Sequence, residues 1–344
     1  MAIVGIDLGK NSFRALELER RKEGLVVTHI GTYESPKINF DSENKEDLDS
    51  YAAALKEFIS ESGFTSPFVS VGLDEKYIYM RTIKLPQMND RDLENAVNFE
   101  AEQYIPLPLS EVKVSHQRLD VDYADKAKTN VQIVAAKKSI LEKYIEVVKK
   151  AHLIPKAIEP FTIALGRALG DSQENPAGSL ILDMGYSRTI VIIVYGGFVR
   201  FTRSIPVGGD VMTRALQQAL SLDYSQAEEY KKVYGLDKSQ VEGKVYEVLE
   251  PQIGAVISEV QRASIFFTNQ QSNANIKRVI LTGGTSQMPG LLLHLASTLD
   301  FEVEMANPFK DIQIDQKIKE RNPKFSEQEG PVYSAALGLA IKEV

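Results

Sequence analysis

Two short stretches of the sequence place a carboxylate next to a glycine turn, a combination that suits phosphate and metal chemistry. Residues 3–18 and 180–194 each contain an apolar run, an Asp-x-Gly tripeptide, a short polar turn and a second apolar run. The aspartates are Asp7 and Asp183. The glycine of each tripeptide lets the backbone approach a ligand closely and direct N–H groups towards an anion. The two carboxylates could hold Mg²⁺ through water, because Mg²⁺ prefers oxygen ligands and retains much of its hydration shell.

The elements that position these residues are predicted to be buried strands. An apolar run such as residues 180–182 is typical of a strand that is covered on both faces. An Asp-x-Gly that merely closes a β-hairpin needs no ligand, and this is the alternative for either copy alone. A third strand, within residues 279–291, ends in Gly283-Gly284 before an apolar helix start, where a flat ring could lie against the backbone and phosphate could meet the helix N-terminus. Three such junctions favour a nucleotide site.

At these residues the chain resembles the actin-like ATPase superfamily, whose fold is shared by actin, Hsp70, sugar kinases and FtsA. Its phosphate-one motif resembles residues 5–9 with Ser12, its phosphate-two motif resembles residues 182–185 with Thr189, and its adenosine motif resembles residues 282–285. Within the superfamily the chain is most similar to the type IV pilus assembly family PilM, through residues 85–88 (LPQM) and 100–108 (EAEQYIPLP). The order and spacing of the motifs agree along essentially the whole chain.

The resemblance implies an α/β protein with the actin-like ATPase fold: two lobes that flank a nucleotide cleft, and an inserted FtsA-type 1C subdomain. A strand over residues 77–85 is predicted to complete the first lobe's sheet, and small residues near the C-terminus predict a helix that crosses closely against residues 163–169. The predicted divisions are residues 1–85 for the first part of subdomain 1A, 86–155 for 1C, 156–177 for the connecting helix of 1A, 178–212 and 277–331 for 2A, 213–276 for 2B and 332–344 for the closing helix.

The resemblance further implies a site for ATP or ADP with Mg²⁺, in which Asp7 and Asp183 hold the metal and act in catalysis. The nucleotide-binding candidates are Gly9, Lys10, Asn11, Ser12, Gly185, Tyr186, Ser187, Arg188, Gly208, Gly209, Asp210, Glu228, Lys231, Gly283, Gly284 and Thr285. Phosphate-two turns of strong ATPases are often glycine-rich, whereas residues 186–188 here are Tyr-Ser-Arg. We therefore expect hydrolysis to be slow or to depend on a partner.

Three of these assignments have simpler alternatives. Asp210 could serve only as a helix cap. Glu228 and Lys231 share a helix face at i,i+3 spacing, so they could form an ordinary surface ion pair worth about a few tenths of a kcal/mol. Glu159 precedes Pro160 at a predicted helix start, where Hsp70-like relatives place a carboxylate near the attacking water, so it is a candidate general base. Acidic residues at helix N-termini are equally explained by electrostatics alone.

A partner site is implied by the same resemblance. In the PilM family, a groove beside the inserted subdomain receives the cytoplasmic N-terminal tail of the membrane protein PilN. The apolar candidates for its wall are Leu85, Met88, Tyr104, Ile105 and Leu107, and the alternative is that they are simply core. Glu100 and Glu102 are two residues apart on a predicted helix and point to different sides, which argues against shared catalysis. Pilus motor ATPases and self-association are further partner expectations.

Composition limits the function classes. The chain has 344 residues, of which 43% are hydrophobic, so it is long enough for two core-bearing lobes. A net charge of −7 argues against nucleic acid or an anionic membrane as a direct partner, and the lack of cysteine excludes disulfides and thiol nucleophiles. The N-terminus begins on a strand pattern and no apolar run is long enough to span a bilayer, so we expect a cytoplasmic protein that reaches the inner membrane only through partners.

Other enzyme classes are weakly supported. The four histidines are scattered without metal-ligand spacing, and there is no Gly-x-Ser-x-Gly elbow or Walker A motif. The resemblance therefore implies a nucleotide-loaded scaffold of the type IV pilus or a related secretion machine that binds PilN. The alternatives are a turning-over actin-like ATPase or small-molecule kinase and an FtsA-like filament. A kinase would need an acceptor pocket, and the inserted segment argues against that arrangement.

Overall fold

The computed structural model describes residues 2–36, 38, 40, 42–121, 127–171, 178–270, 276–321 and 325–344. The strands in these residues are β1 (Ala2–Leu8), β2 (Ser12–Arg21), β3 (Gly24–Glu34), β4 (Phe68–Leu73), β5 (Ile78–Pro86), β6 (Val112–Val121), β7 (Lys128–Lys137), β8 (Ile154–Pro160), β9 (Gly178–Met184), β10 (Thr189–Tyr195), β11 (Phe198–Ile205), β12 (Ile276–Thr282), β13 (Glu302–Met305) and β14 (Gln313–Ile314). The helices are α1 (Lys45–Glu61), α2 (Asp90–Tyr104), α3 (Lys138–Lys150), α4 (Phe161–Leu169), α5 (Gly209–Leu220), α6 (Tyr224–Val233), α7 (Lys244–Gln270), α8 (Leu291–Thr298), α9 (Gln316–Arg321) and α10 (Ser334–Ile341).

The first lobe is a six-stranded sheet in the order β14-β3-β2-β1-β4-β8. Strands β1 and β2 form the predicted antiparallel hairpin, and β4 and β8 continue the sheet in parallel. One face packs on α1 and α3 through residues such as Phe13, Leu55 and Tyr144. The other face packs on α10, with Leu16 and Ala336 in one buried cluster.

The second lobe is a five-stranded sheet in the order β11-β10-β9-β12-β13. The hairpin of β9 and β10 is antiparallel, whereas β12 pairs with β9 in parallel. Helices α5 to α8 cover one face, where apolar residues of the long helix α7 such as Leu249 and Val256 are fully buried. Helix α4 covers the other face through Leu165 and Leu169. The prediction that the apolar run of residues 180–182 is a strand covered on both faces is therefore confirmed.

Helices α4 and α10 lie between the two large sheets and cross at very short range. A Cβ atom added to Gly338 of α10 would lie 1.9 Å from the carbonyl oxygen of Ala164 in α4. A Cβ atom on Gly5 of β1 would lie 1.9 Å from the carbonyl oxygen of Ala336. The predicted close crossing of α4 and α10 is confirmed and depends on Gly338, while Gly5 allows β1 to approach α10 closely.

One predicted strand belongs to a different sheet. Strand β5 was expected to complete the first lobe, but it pairs antiparallel with β7 along its whole length in a three-stranded sheet of order β5-β7-β6. The 3₁₀ turn Glu75–Tyr77 redirects the chain between β4 and β5. The vacant place beside β4 is taken by β8, which the sequence did not predict because Pro155 and Pro160 interrupt its pattern. Proline is tolerated there because β8 is an edge strand.

The three-stranded sheet has a core of its own. Helix α2 packs on it through Leu93, Val97 and Ala101, in one cluster with Ile83 of β5 and Val131 of β7. Helix α3, expected in the same inserted unit, instead packs against α1 in the core of the first lobe. None of the helices in the described ranges has the length and apolar character needed to cross a bilayer.

Candidate functional site

A cavity of about 510 Å³ separates the two predicted phosphate hairpins. Sixteen of the predicted nucleotide and metal residues line it: Asp7, Gly9, Lys10, Asn11, Ser12, Asp183, Gly185, Tyr186, Ser187, Arg188, Gly209, Glu228, Lys231, Gly283, Gly284 and Thr285. They come from both lobes and from segments more than 270 residues apart in the chain. The structure therefore brings together the three glycine junctions that the sequence identified separately.

The two aspartates lie at the carboxyl ends of β1 and β9, where their surroundings disfavour ionisation. Burial raises the pKa of Asp7 to about 6, although the Arg14 guanidinium opposes the shift. Burial raises the pKa of Asp183 to about 7, and the negative charge of Asp7 adds to the effect. Each residue nevertheless keeps part of its surface accessible to the cleft. Binding of a cation between them would relieve this penalty.

The donor set fits Mg²⁺ better than a metal that requires a full protein cage. Among the residues described, no group of three or more His, Cys, Asp or Glu side chains could hold a metal ion. Two carboxylates at the edge of a cavity leave room for water and phosphate oxygens, which Mg²⁺ prefers to retain. Asp7 and Asp183 are therefore suited to holding Mg²⁺ together with a nucleotide.

Glycines allow close packing around the cleft. A Cβ atom on Gly209 would lie 2.8 Å from Thr285 Oγ1 and 3.1 Å from Lys231 Nζ. Gly283 has φ of +84°, a conformation that L residues rarely adopt, and a Cβ atom there would lie 2.5 Å from Asp183 Oδ1. The amide of Gly209, at the start of α5, donates to Gly185 O at 3.0 Å. The N-terminus of α5 is thus fixed against the phosphate-two turn.

Lys231 is a buried structural cation and does not form an ordinary surface ion pair. Only 5% of the residue is exposed, and its ammonium group donates to Gly209 O at 2.9 Å, Thr213 Oγ1 at 2.8 Å and Glu228 Oε2 at 2.6 Å. Burial lowers the pKa of Lys231, and hydrogen bonding to Glu228 opposes this. Burial would raise the pKa of Glu228, but bonds from Lys231 and Thr213 outweigh it and the pKa is lowered. This network fixes α5 to α6 and presents Glu228 to the cavity.

The cleft also contains charged residues that the sequence analysis did not single out. Arg14 of β2 lines it, and its buried Nε has no hydrogen-bond partner among the described residues. Asp74, directly after β4, also lines it and pairs with Arg188 at 3.1 Å. The hairpin register could have revealed Arg14, because it lies opposite Asp7 and opposed residues share a face of the sheet. Because Arg14 lines the cavity and its guanidinium is not fully paired, it is suited to donate a charge-assisted hydrogen bond to a phosphate oxygen.

Comparison with known proteins identifies the family. A family model described as type IV pilus assembly protein PilM matches residues 5–344. The chain belongs to the PilM family. A solved structure titled PilM-PilN type IV pilus biogenesis complex contains a chain that is similar with a TM-score of 0.83 and 25% identity, over 99% of this chain and 98% of that one.

More distant relatives confirm the actin-like ATPase fold. The cell division protein FtsA of Escherichia coli (strain K12) is 20% identical in an alignment that covers 98% of this chain and 89% of FtsA. FtsA of Neisseria meningitidis serogroup B is 24% identical over 232 residues, and that alignment spans 54% of its length and 60% of this chain. MreB5 of Spiroplasma citri bound to AMPPNP matches with a TM-score of 0.54 at 13% identity, over 99% of this chain and 96% of that one. This last similarity shows the fold alone.

Three predicted residues lie outside the cavity lining. Glu159 is buried, and its carboxylate accepts two hydrogen bonds from Arg167 at 2.7 and 2.9 Å and pairs with Lys342 at 3.2 Å. Because Arg167 also donates to Gly338 O at 2.6 Å, Glu159 stabilises the crossing of α4 and α10. This placement does not support its prediction as a general base.

Gly208 and Asp210 support the phosphate-two turn from behind. A Cβ atom on Gly208 would lie 2.4 Å from Arg188 N, and Gly208 itself is the N-cap residue of α5. The alternative interpretation of Asp210 as the helix cap is therefore wrong. Its carboxylate accepts hydrogen bonds from the hydroxyl groups of Tyr186 at 3.0 Å and Tyr224 at 2.8 Å. Asp210 thus orients Tyr186, which does line the cleft.

The five predicted partner residues of this PilM-family chain divide into three groups by burial. Leu85 and Ile105 are each only 7% exposed and belong to the core of the three-stranded sheet, which supports the core alternative for them. Met88 and Leu107 are partly buried against that core. Tyr104 is 39% exposed, and the Arg81 guanidinium lies 3.9 Å from the centre of its ring. Phe99, which the sequence did not single out, is 66% exposed on the same helix, α2.

Proposed function

We propose that this chain is a nucleotide-loaded scaffold of the type IV pilus assembly machine. It binds ATP or ADP with Mg²⁺ in the cleft and the N-terminal tail of PilN beside the three-stranded sheet, and it hydrolyses ATP slowly or only with a partner. The observation that carries the nucleotide part is the convergence of both aspartates and all three glycine junctions on one cavity.

The cavity offers a distinct group for each part of a nucleotide. Asp7 and Asp183 would hold Mg²⁺, which when bound neutralises phosphate charge. Lys10, Arg14 and Arg188 line the same space and would meet the phosphates with charge-assisted hydrogen bonds. The ribose and the base would contact Glu228, which lies beside the N-terminus of α5, and the Gly283-Gly284 turn.

The carboxylates of the cleft favour slow hydrolysis. Among the lining residues that the structure describes, the carboxylates are Asp7, Asp74, Asp183 and Glu228, and histidine is absent. Two would hold the metal, Glu228 is bonded to Lys231, and the Asp74 carboxylate accepts from the amide of Lys76 at the 3₁₀ turn Glu75–Tyr77. Because Glu159 is ion-paired elsewhere, a dedicated base for the attacking water is lacking in this set. This supports a scaffold over a turning-over ATPase or kinase.

The partner part rests on the family and on exposed apolar surface. The solved PilM-PilN complex contains a chain that is similar to this one with a TM-score of 0.83, and this similarity supports a PilN tail as the ligand. Phe99 and Tyr104 expose aromatic surface on α2, a feature that commonly marks protein-binding sites. Because PilN is a membrane protein, the scaffold would act on the cytoplasmic side of the inner membrane. Pilus motor ATPases and self-association stay predictions.

The proposal is tested by calorimetric titration of the full chain with a PilN N-terminal peptide, with and without ATP·Mg²⁺, while phosphate release is assayed in the same samples. We expect saturable peptide binding with little phosphate release. Phe99→Ala and Tyr104→Ala should weaken peptide binding, whereas Leu293→Ala, which removes a 75% exposed side chain of α8, should not. Steady turnover without peptide binding would contradict the scaffold function and favour the kinase or ATPase alternative.

A further inference from the structure

An ion pair connects the two lobes across the cleft. Its member in the first lobe, Asp74, lies outside the predicted nucleotide motifs. Asp74 follows β4 of the first lobe, and Arg188 lies in the turn between β9 and β10 of the second. Their side chains approach to 3.1 Å and both line the cavity. About a quarter of the Arg188 side chain and a third of the Asp74 side chain remain exposed, so a ligand in the cavity can reach the pair.

The Asp74 carboxylate also begins the connection to the three-stranded sheet. Its Oδ1 accepts the amide of Lys76 at 3.0 Å and so caps the 3₁₀ turn Glu75–Tyr77, while Oδ2 accepts from Arg188. Ile78, the first residue of β5, follows this turn immediately. One carboxylate therefore contacts both the nucleotide cleft and the segment that enters the sheet beside the proposed partner site.

Further contacts hold this turn and sheet against the second lobe. The Glu75 carboxylate accepts from Thr162 Oγ1 of α4 at 2.8 Å and from Thr202 Oγ1 of β11 at 2.6 Å. Gln132 of β7 donates to Val199 O of β11 at 2.6 Å. Because β11 is an edge strand of the second lobe's sheet, the three-stranded sheet is bonded directly to that lobe.

We propose that Asp74 and the phosphates of a bound nucleotide compete for the Arg188 guanidinium, so that nucleotide in the cleft changes the affinity of the three-stranded sheet for its partner peptide. This inference rests on the proposed function. Phosphate attracts a guanidinium more strongly than a single carboxylate does, because it carries more charge and binds it in the same bidentate manner. It also repels Asp74, which would then hold the turn without its partner in the second lobe.

The first test is a double-mutant cycle with ADP·Mg²⁺ as the titrant. Asp74→Asn keeps the acceptor oxygen that caps the turn and removes the charge. We expect it to tighten ADP·Mg²⁺ binding by about fivefold in the wild-type background, and to change it by less than about twofold in an Arg188→Gln background. An equal gain in both backgrounds would show a simple field effect of the carboxylate and would overturn the proposal, as would no gain in either. Arg188→Lys provides a second variant at the same position if the glutamine variant folds poorly.

The second test measures the coupling itself. The affinity for the PilN peptide should differ between the ADP·Mg²⁺-loaded and the nucleotide-free wild type, and the difference should shrink to less than about twofold in Asp74→Asn. Arg262→Gln, which removes an exposed arginine paired with Glu259 on α7, should retain the wild-type difference. If the wild type binds nucleotide and peptide but shows no difference, the proposed coupling through Asp74 and Arg188 is overturned and the scaffold function stands. If the wild type binds no nucleotide, the proposed function itself fails.

Discussion

Asp7 and Arg14 lie directly opposite each other in the antiparallel pairing of β1 and β2, and both side chains line the cleft. Opposed residues project from the same face of a sheet, so a single hairpin supplies a carboxylate for the metal and a cation for the phosphates. The guanidinium also lowers the pKa of Asp7, although burial outweighs it and the pKa stays near 6.

Arg14→Gln should weaken ATP·Mg²⁺ binding by about tenfold or more, because it removes a charge-assisted hydrogen bond to phosphate. Equilibrium titration with a fluorescent ATP analogue measures the change. Arg262→Gln is the control and should bind like the wild type. An Arg14→Gln protein with unchanged affinity would show that the guanidinium does not contact the phosphates.

The buried aspartates should make the ligand-free protein more stable as the pH falls from 8 to 5.5. The pKa of Asp183 is raised to about 7 in the folded state from an ordinary 3.8, so the ionised carboxylate destabilises the folded state fully above about pH 7, and this penalty shrinks progressively as the pH falls towards 3.8. Asp183→Asn should therefore stabilise the ligand-free protein at pH 8 by about 2 kcal/mol and flatten its pH profile. Thermal melts in EDTA across this range provide the measurement, and parallel profiles for the two proteins would contradict the burial effect.

The helix crossing between the lobes should tolerate no side chain at Gly338. Gly338→Ala would place a methyl group against the Ala164 carbonyl and should destabilise the protein by about 3 kcal/mol. Gly254→Ala in α7 is the matched control, because a Cβ atom there meets nothing within 4 Å, and it should stabilise the protein by about 0.5–1 kcal/mol. Denaturant unfolding distinguishes the two, and equal effects would indicate that the crossing is loose.

Lys231 should be more important for the structure than the exposed lysine next to it in α6. Lys231→Met leaves Glu228 and Gly209 O without their buried donor and should cost about 2–3 kcal/mol of stability. Lys232→Met, which removes a neighbouring lysine whose side chain is 70% exposed, should have little effect on unfolding. If the two variants unfold at the same denaturant concentration, the buried network does not hold α5 and α6 together.

The nucleotide cleft could be predicted from the sequence because each of its motifs is local. Asp7 with Gly9, Asp183 with Gly185, and the Gly283-Gly284 pair each combine a buried strand with a turn, and the structure brings all three to one cavity. Arg14 could also have been found, since a short hairpin fixes which residues oppose each other.

Non-local pairing explains what the sequence did not predict. Alternation identifies β5 as a strand, but it does not show which sheet the strand joins, and the prolines of β8 hide the strand that takes its place. Glu159 was a candidate general base through its resemblance to Hsp70-like relatives, whereas its ion pairs with Arg167 of α4 and with Lys342, which follows α10, depend on how the chain folds. The pair of Asp74 and Arg188 is visible only once both lobes are in place.

The most direct test of the account is an equilibrium titration of ATP·Mg²⁺ into the wild type and Asp183→Ala, with phosphate release followed in the same samples. We expect one saturable site in the wild type, slow phosphate release, and a large loss of affinity in the variant, because Asp183 is one of the two carboxylates in the cleft that suit Mg²⁺. Equal affinity in the two proteins, or no binding in the wild type, would contradict the assignment of the cleft as a nucleotide site.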